Sequence, residues 1–280
     1  LSCRRRAFGT IKKQQNHVLL SRFPAGRWSQ VAGLRQPPNR EKFFGSFFQK
    51  RTASFASVAS FLRRQSYLAV VKTDLFEQAP VMPEGAMLLG GFALPAVDAL
   101  LAAVAAVTAA APFRTMVTRG GFRMSAAMSN CGAAGWITDR RGYRYTTDDP
   151  QSGRPWPAMP PVFSTIAREA AAAGGYAAFA PDACLINRYQ PGTRMTLHQD
   201  RDERDFSQPI VSVSLGLPAI FQFGGLARTD PVVRVPLRHG DVVVWGGPTR
   251  LAFHGILPLK DGSHPATGRQ RFNLTFRRAL

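Results

Sequence analysis

The chain has 280 residues, 45% of them hydrophobic, and a formal net charge of +19 at pH 7. That length and apolar fraction suit one large globular domain or two small ones, and exclude a wholly disordered chain. Its three cysteines, Cys3, Cys131 and Cys184, are odd in number and far apart in sequence. This excludes a disulfide framework or zinc knuckle and points to a reducing compartment.

The charge is unevenly spread. Residues 1–73 hold fifteen Lys/Arg against one acid, Glu41. This stretch reads as a basic N-terminal extension, disordered or spurious, because it cannot bury a core. A transit peptide and a nucleic-acid-binding arm are the alternatives that fit the same composition. Residues 74–280 read as one domain without internal repeats.

In chain order, the apolar run "LPAVDALLAAVAAVTAAAPF" contains Asp98 and is bracketed by prolines. It predicts a buried amphipathic helix over 95–111, ended by Pro112, and not a membrane span. Residues 118–160 are rich in Gly, Pro, Arg and aromatics, the composition of hairpins and loops that expose side chains. A second helix is predicted over 161–173, closed by Gly174 and Gly175. From there the chain becomes a series of short β-type segments, at 183–189, 209–216, 219–224, 232–237, 241–246, 250–256 and 270–276. Gly, Pro or Asp separates most of them, as in a sandwich or barrel. Helices first and strands after predict an α+β fold with a jelly-roll core over 181–280 and helices packed outside.

The stretch "LHQDRDE" raises a metal site against a solvated turn. In an extended segment His198 and Asp200 point to one side and can offer a nitrogen and an oxygen to one ion. A third ligand must come from elsewhere in the chain. His17 lies in the extension, His264 in a Gly/Pro/Ser loop and His239 at a tight turn. His254 falls in a strand-like segment, expected on the far side of the sheet. Two histidines and one carboxylate form the facial triad of non-haem Fe(II) oxygenases. Downstream, "RQRFNLTFR" puts Arg271, Asn273 and Arg277 at odd spacings on one strand face. Inward arginines need a buried anion, such as a dicarboxylate on iron; a solvated edge strand is the alternative. Further upstream, Trp136, Tyr143 and Tyr145 are interleaved with arginines, which suits single-stranded nucleic acid as well as an ordinary hairpin.

Taken together, "LINRYQPG", "LHQDRDE", "PIVSVSLGLPAIFQFGG", "HGDVVVWGG" and "RFNLTFR" resemble the AlkB family of Fe(II)/2-oxoglutarate dioxygenases. The upstream "MVTRGGFRMSAAMSNCG" and "PWPAMP" resemble its nucleotide-recognition region, and the resemblance spans 74–280. It implies a double-stranded β-helix core with a nucleotide-recognition lid over 118–160. It implies His198, Asp200 and His254 as iron ligands, with 2-oxoglutarate and dioxygen as cosubstrates. Arg271 and Arg277 would bind the two carboxylates of 2-oxoglutarate, with Asn187, Arg188, Tyr189 and Asn273 around it. Trp136, Tyr143, Arg144, Tyr145, Asp202 and Arg228 would contact the target base and its strand. Phe122 stands where the family has Tyr, which removes a hydroxyl contact to phosphate. The implied reaction is oxidative dealkylation of bases such as 1-methyladenine and 3-methylcytosine in single-stranded DNA, with RNA as a second substrate. A monomeric cytoplasmic protein without membrane contact is expected. The alternatives are a same-fold hydroxylase of a protein or small molecule, and a non-catalytic nucleic-acid-binding module.

Overall fold

The computed structural model describes residues 81–280, so the basic extension expected over 1–73 lies outside the described residues. Helix α1 (Val97–Ala110) forms from alanine and leucine, the strongest helix formers, with Asp98 in its first turn, where the helix dipole favours an acid. A 3-10 turn, Leu94–Ala96, precedes it, so the α-helix starts two residues later than the sequence predicts. Helix α2 (Pro161–Ala173) has the predicted bounds, with proline at its first position. It closes through Gly175 at φ 90°, a left-handed position that glycine fills without strain.

The described residues also form fourteen strands, six of them before α2: β1 (Ala86–Leu89), β2 (Ala127–Gly132), β3 (Gly135–Asp139), β4 (Gly142–Thr146), β5 (Asp148–Asp149), β6 (Arg154–Pro155), β7 (Ala183–Tyr189), β8 (Met195–His198), β9 (Ile210–Gly216), β10 (Ala219–Phe223), β11 (Val233–Leu237), β12 (Val242–Trp245), β13 (His254–Ile256) and β14 (Arg271–Arg277). A six-stranded sheet runs β1-β12-β9-β14-β7-β2 and a four-stranded sheet runs β11-β10-β13-β8, all antiparallel. This is the expected jelly-roll of an α+β protein. The predicted strand over 250–256 shrinks to His254–Ile256, because Gly247–Thr249 forms a 3-10 turn around Pro248.

Strand alternation sorts the large sheet into two faces. Val242 and Val244 of β12 and Leu274 and Phe276 of β14 pack against α1 and α2. Val243 and Trp245 turn the other way and share an apolar cluster with Phe221 and Phe223 of the small sheet. The same alternation sends Arg271, Asn273, Thr275 and Arg277 into the space between the sheets. The hairpin β3–β4 stands outside both sheets. It is tethered by Asn130 of β2, whose side-chain amide exchanges two 3.0 Å hydrogen bonds with the Trp136 backbone.

Phe163 of α2 is fully buried and meets Phe276 edge-on at 5.8 Å between ring centroids. Phe163→Ala should therefore destabilise the protein by about 3–5 kcal/mol through lost burial and a cavity. A urea midpoint within error of wild type would show that α2 is not held through this ring.

Candidate metal centre and its cavity

His198 ends β8 and His254 begins β13, and the two are direct register partners on neighbouring strands. The expectation that His254 approaches from the far side of the sheet is thus corrected. The sheet order brings the two imidazoles together across a single ladder, with ring centroids 4.4 Å apart. Gly255 follows at the closest approach of the strands, where an added Cβ would lie 2.6 Å from the Met195 carbonyl oxygen.

Each Nδ1 lies against a backbone carbonyl, His198 with Thr196 at 2.9 Å and His254 with Ala252 at 3.0 Å. A carbonyl only accepts, so in each neutral ring Nδ1 carries the proton and Nε2 keeps its lone pair. Both Nε2 atoms face the Asp200 carboxylate at 3.7 Å. The three ligand atoms lie within 4.8 Å of one another, and no other such group occurs among the described residues.

Asp200 lies past the end of β8, in a segment that is neither strand nor helix. Arg277 donates to its Oδ2 from Nη2 at 2.6 Å and Nε at 3.0 Å. Burial disfavours the carboxylate charge, but Arg277 and the two imidazoles outweigh it and hold Asp200 below the usual carboxylate range. Burial, reinforced by His198, lowers the His254 pKa from its ordinary 6.5 to about 4. Near neutral pH the site therefore offers a charged carboxylate and an uncharged His254 ring.

The triad opens into a cavity of about 760 Å³ between the sheets. Arg271, 1% exposed, donates from Nη2 to Ser214 Oγ at 3.0 Å. Its Nε and Nη1 are buried with no hydrogen-bond partner among the described residues, as is Asn187 Oδ1. Burial pulls the Arg271 guanidinium below its ordinary pKa. A buried cation with two idle donors needs an anion. Two imidazole nitrogens and a carboxylate on one side, with an unsatisfied guanidinium across the cavity, fit Fe(II) carrying a chelating dicarboxylate.

Residues 85–277 match the family model of the 2OG-Fe(II) oxygenase superfamily. The alpha-ketoglutarate-dependent dioxygenase AlkB of Salmonella typhimurium is 59% identical over 202 residues, covering 72% of this chain and 93% of that protein. The chain belongs to the AlkB family. AlkB of Escherichia coli is 57% identical over 210 residues, covering 74% of this chain and 97% of that protein. The solved structure of OsALKBH1 superposes with a TM-score of 0.62 at 31% identity, over 72% of this chain and all of that one. As an AlkB-family protein, the chain is an oxidoreductase that uses Fe(II), 2-oxoglutarate and dioxygen.

The cavity gathers most of the residues expected from the sequence and leaves out three. Asn187, Tyr189, Arg271, Asn273 and Arg277 line it, as do Trp136, Tyr143, Asp202 and Arg228. Arg188 does not: as the alternate residue of β7 it points to the helix side, with its guanidinium 4.6 Å from the Phe113 ring centroid. Arg144 is on the hairpin face opposite Tyr143 and is ion-paired to Asp139 at 2.7 Å. Tyr145 turns toward the Asp200 loop and donates to Glu203 Oε1 at 2.7 Å. Sequence reasoning missed Glu203 and Arg250, a buried pair at 3.1 Å beside Asp200. The available signals were a third acid in "LHQDRDE" and an arginine four residues before His254.

Because the folded chain binds the His254 proton less readily than the unfolded one, its contribution is fully present above about pH 6.5. It is lost as pH falls toward 4. Asp200 adds a further loss below its ordinary 3.8, since its folded pKa is also depressed. The metal-free protein should lose up to about 3 kcal/mol between pH 7 and 4 from His254. Urea midpoints across that range should show a flatter slope for His254→Gln; an unchanged slope would remove His254 as the titrating group. For the cosubstrate, Arg271→Lys should raise the KM for 2-oxoglutarate at least tenfold, because a lysine cannot reproduce a two-pronged contact to carboxylate. A KM unchanged by this substitution would remove Arg271 from the 2-oxoglutarate site.

Proposed function

We propose that this dioxygenase removes alkyl groups from N-alkylated bases, of the 1-methyladenine and 3-methylcytosine type, in single-stranded DNA and also in RNA. His198, Asp200 and His254 would hold Fe(II). Arg271 and Arg277 would hold the carboxylates of 2-oxoglutarate, with Asn187, Tyr189 and Asn273 as hydrogen-bonding neighbours. Bound Fe(II), 2-oxoglutarate and dioxygen supply the oxidation of a C–H bond next to nitrogen, releasing succinate and carbon dioxide. The hydroxymethylated base then loses formaldehyde. The chain's own residues orient the base and keep the cavity's charges in register.

The observation that carries this reading is the cavity wall formed by the β3–β4 hairpin. Trp136 and Tyr143 stack at 5.6 Å, 16° from parallel, which presents flat aromatic surface to a flipped base. Trp136 Nε1 donates to Asp202 Oδ2 at 2.8 Å and so aims a carboxylate at the same space. Arg123, Arg194, Arg201 and Arg228 surround the opening, where a phosphate backbone would pass. Residues 118–160, which include this hairpin, would act as the recognition lid, over a catalytic jelly-roll at 181–280. Phe122, 77% exposed at the rim, offers a phosphate no hydroxyl. No helix among the described residues is long and apolar enough to cross a membrane. Cys131 and Cys184 are both free thiols, as a reducing cytoplasm would keep them, and we read the protein as acting there as a monomer.

Methylation at the pairing nitrogen of adenine or cytosine makes a cationic base, whereas methylated thymine is neutral. A carboxylate in a partly desolvated pocket favours the cation by roughly 1–3 kcal/mol. An aromatic face adds on the order of 1 kcal/mol. Formaldehyde release from single-stranded oligonucleotides, with and without 2-oxoglutarate, tests the reaction. Asp202→Asn should lower the specificity constant for methylated adenine and cytosine about tenfold more than for methylated thymine. No 2-oxoglutarate-dependent formaldehyde from any methylated oligonucleotide would exclude this substrate class. Equal losses on all bases would exclude the role of Asp202.

A further inference from the structure

The loop between β8 and β9 carries both Asp200 and the cavity-facing Asp202, yet no strand pairing reaches it. One guanidinium holds it at three points. Arg250, 3% exposed, donates from Nε to the Gln208 carbonyl at 2.8 Å and from Nη1 to the Asp200 carbonyl at 2.8 Å. Its Nη2 donates to Glu203 Oε2 at 3.1 Å, and its guanidinium carbon stands 5.3 Å from the Phe206 ring centroid. Three nitrogens of one side chain thus hold three points of one loop, and a ring of the same loop packs on its plane. Gln199 adds a bond from Nε2 to the Leu251 carbonyl at 2.7 Å.

A buried ion pair is a weak source of stability, and apolar side chains commonly fill such a space at least as well. The arrangement here is directional instead. One donor ends on the backbone carbonyl of Asp200 itself. Another ends on Glu203, which also accepts from Tyr145 at 2.7 Å and lies 3.4 Å from Arg277 Nε, the group that pairs with the Asp200 carboxylate. Asp200 is therefore held at its backbone by Arg250 and at its side chain by Arg277, with Glu203 bridging the two guanidiniums. Arg250 also precedes His254 by four residues, so it joins the Asp200 loop to the strand of the second histidine.

We propose that Arg250, with Glu203, is a positioning residue of the metal centre. It fixes the Asp200 loop so that the carboxylate stays 3.7 Å from each imidazole Nε2, a spacing at which one ion can be bonded by all three groups. The proposal rests on the reading of His198, Asp200 and His254 as the metal ligands, but not on the substrate. Lysine keeps the positive charge but is a single point donor that cannot span the Asp200 carbonyl, Glu203 and the Gln208 carbonyl together.

The test is titration of the full chain with Co(II) alone, followed by calorimetry and by the visible ligand-field absorption of the bound ion. Wild type should bind one Co(II), Arg250→Lys should bind it at least tenfold more weakly with an altered absorption band, and Glu203→Gln should weaken it about threefold or more. Far-UV circular dichroism should be unchanged in both variants. Wild-type affinity and band shape in Arg250→Lys would overturn the proposal and leave Arg250 as core filler. Should that variant fail to fold, Glu203→Gln decides alone, and wild-type binding by it overturns the proposal. Absence of Co(II) binding by wild type would overturn the metal reading, and this inference with it. No nucleic acid enters the measurement, so a failure to dealkylate oligonucleotides leaves the outcome intact.

Discussion

Charge buried between two β-sheets is the constraint on which the rest of this structure depends. A carboxylate there is stable only beside a cation, and Asp200 has Arg277 at 2.6 Å. Glu203 answers Arg250 in the same way. Two carboxylates are thus matched by two guanidiniums, and Arg271 is left over, with two donors unused. Among the charges that line the cavity floor, Arg271 therefore stands without a carboxylate partner, an electrostatic vacancy of one sign. An anionic cosubstrate meets that requirement, and a neutral ligand would not.

The backbone makes this possible with a single rule, the alternation of side chains along a strand. On β14, Phe272, Leu274 and Phe276 face the helix layer while Arg271, Asn273, Thr275 and Arg277 face the cavity. On β7, Cys184 and Ile186 go to the helices and Leu185, Asn187 and Tyr189 go inward. The helices therefore do more than cover a face. By burying one side of the central strands they fix the register that keeps polar groups on the other side.

Both helices and the segments from 183 onward, apart from β8, were legible because their patterns are local. The helices show apolar runs closed by proline or glycine, and the strands show short apolar segments between breakers. The arginine strand was legible through its alternating spacing and the triad through the family resemblance. Asp200, however, lies beyond β8 and not in the extended segment that the His198–Asp200 spacing implied. What escaped depends on long-range pairing. The proximity of His198 and His254 follows from the neighbouring places of β8 and β13 in the sheet, which no spacing encodes. Arg188 and Arg144 sit beside genuine cavity residues in sequence, yet alternation turns them away. Tyr145 shares a hairpin face with Trp136, but its hydroxyl reaches Glu203, fifty-eight positions along the chain. Cys131 and Cys184, far apart in sequence, prove to be opposite one another on β2 and β7.

The four-residue strand β8 forms one edge of the small sheet, with β13 as its sole neighbour. Short edge strands are where a sheet frays first. His198 closes that edge and faces His254 across the ladder, so an ion held by both rings would act as a staple across the last pair of strands. Iron held there would have a mechanical duty beside its chemical one: it would tie down the rim from which the Asp200–Asp202 loop departs. Loss of the metal would then loosen the proposed base-facing wall at Asp202 as well as silencing the reaction, so that binding and turnover would fade together.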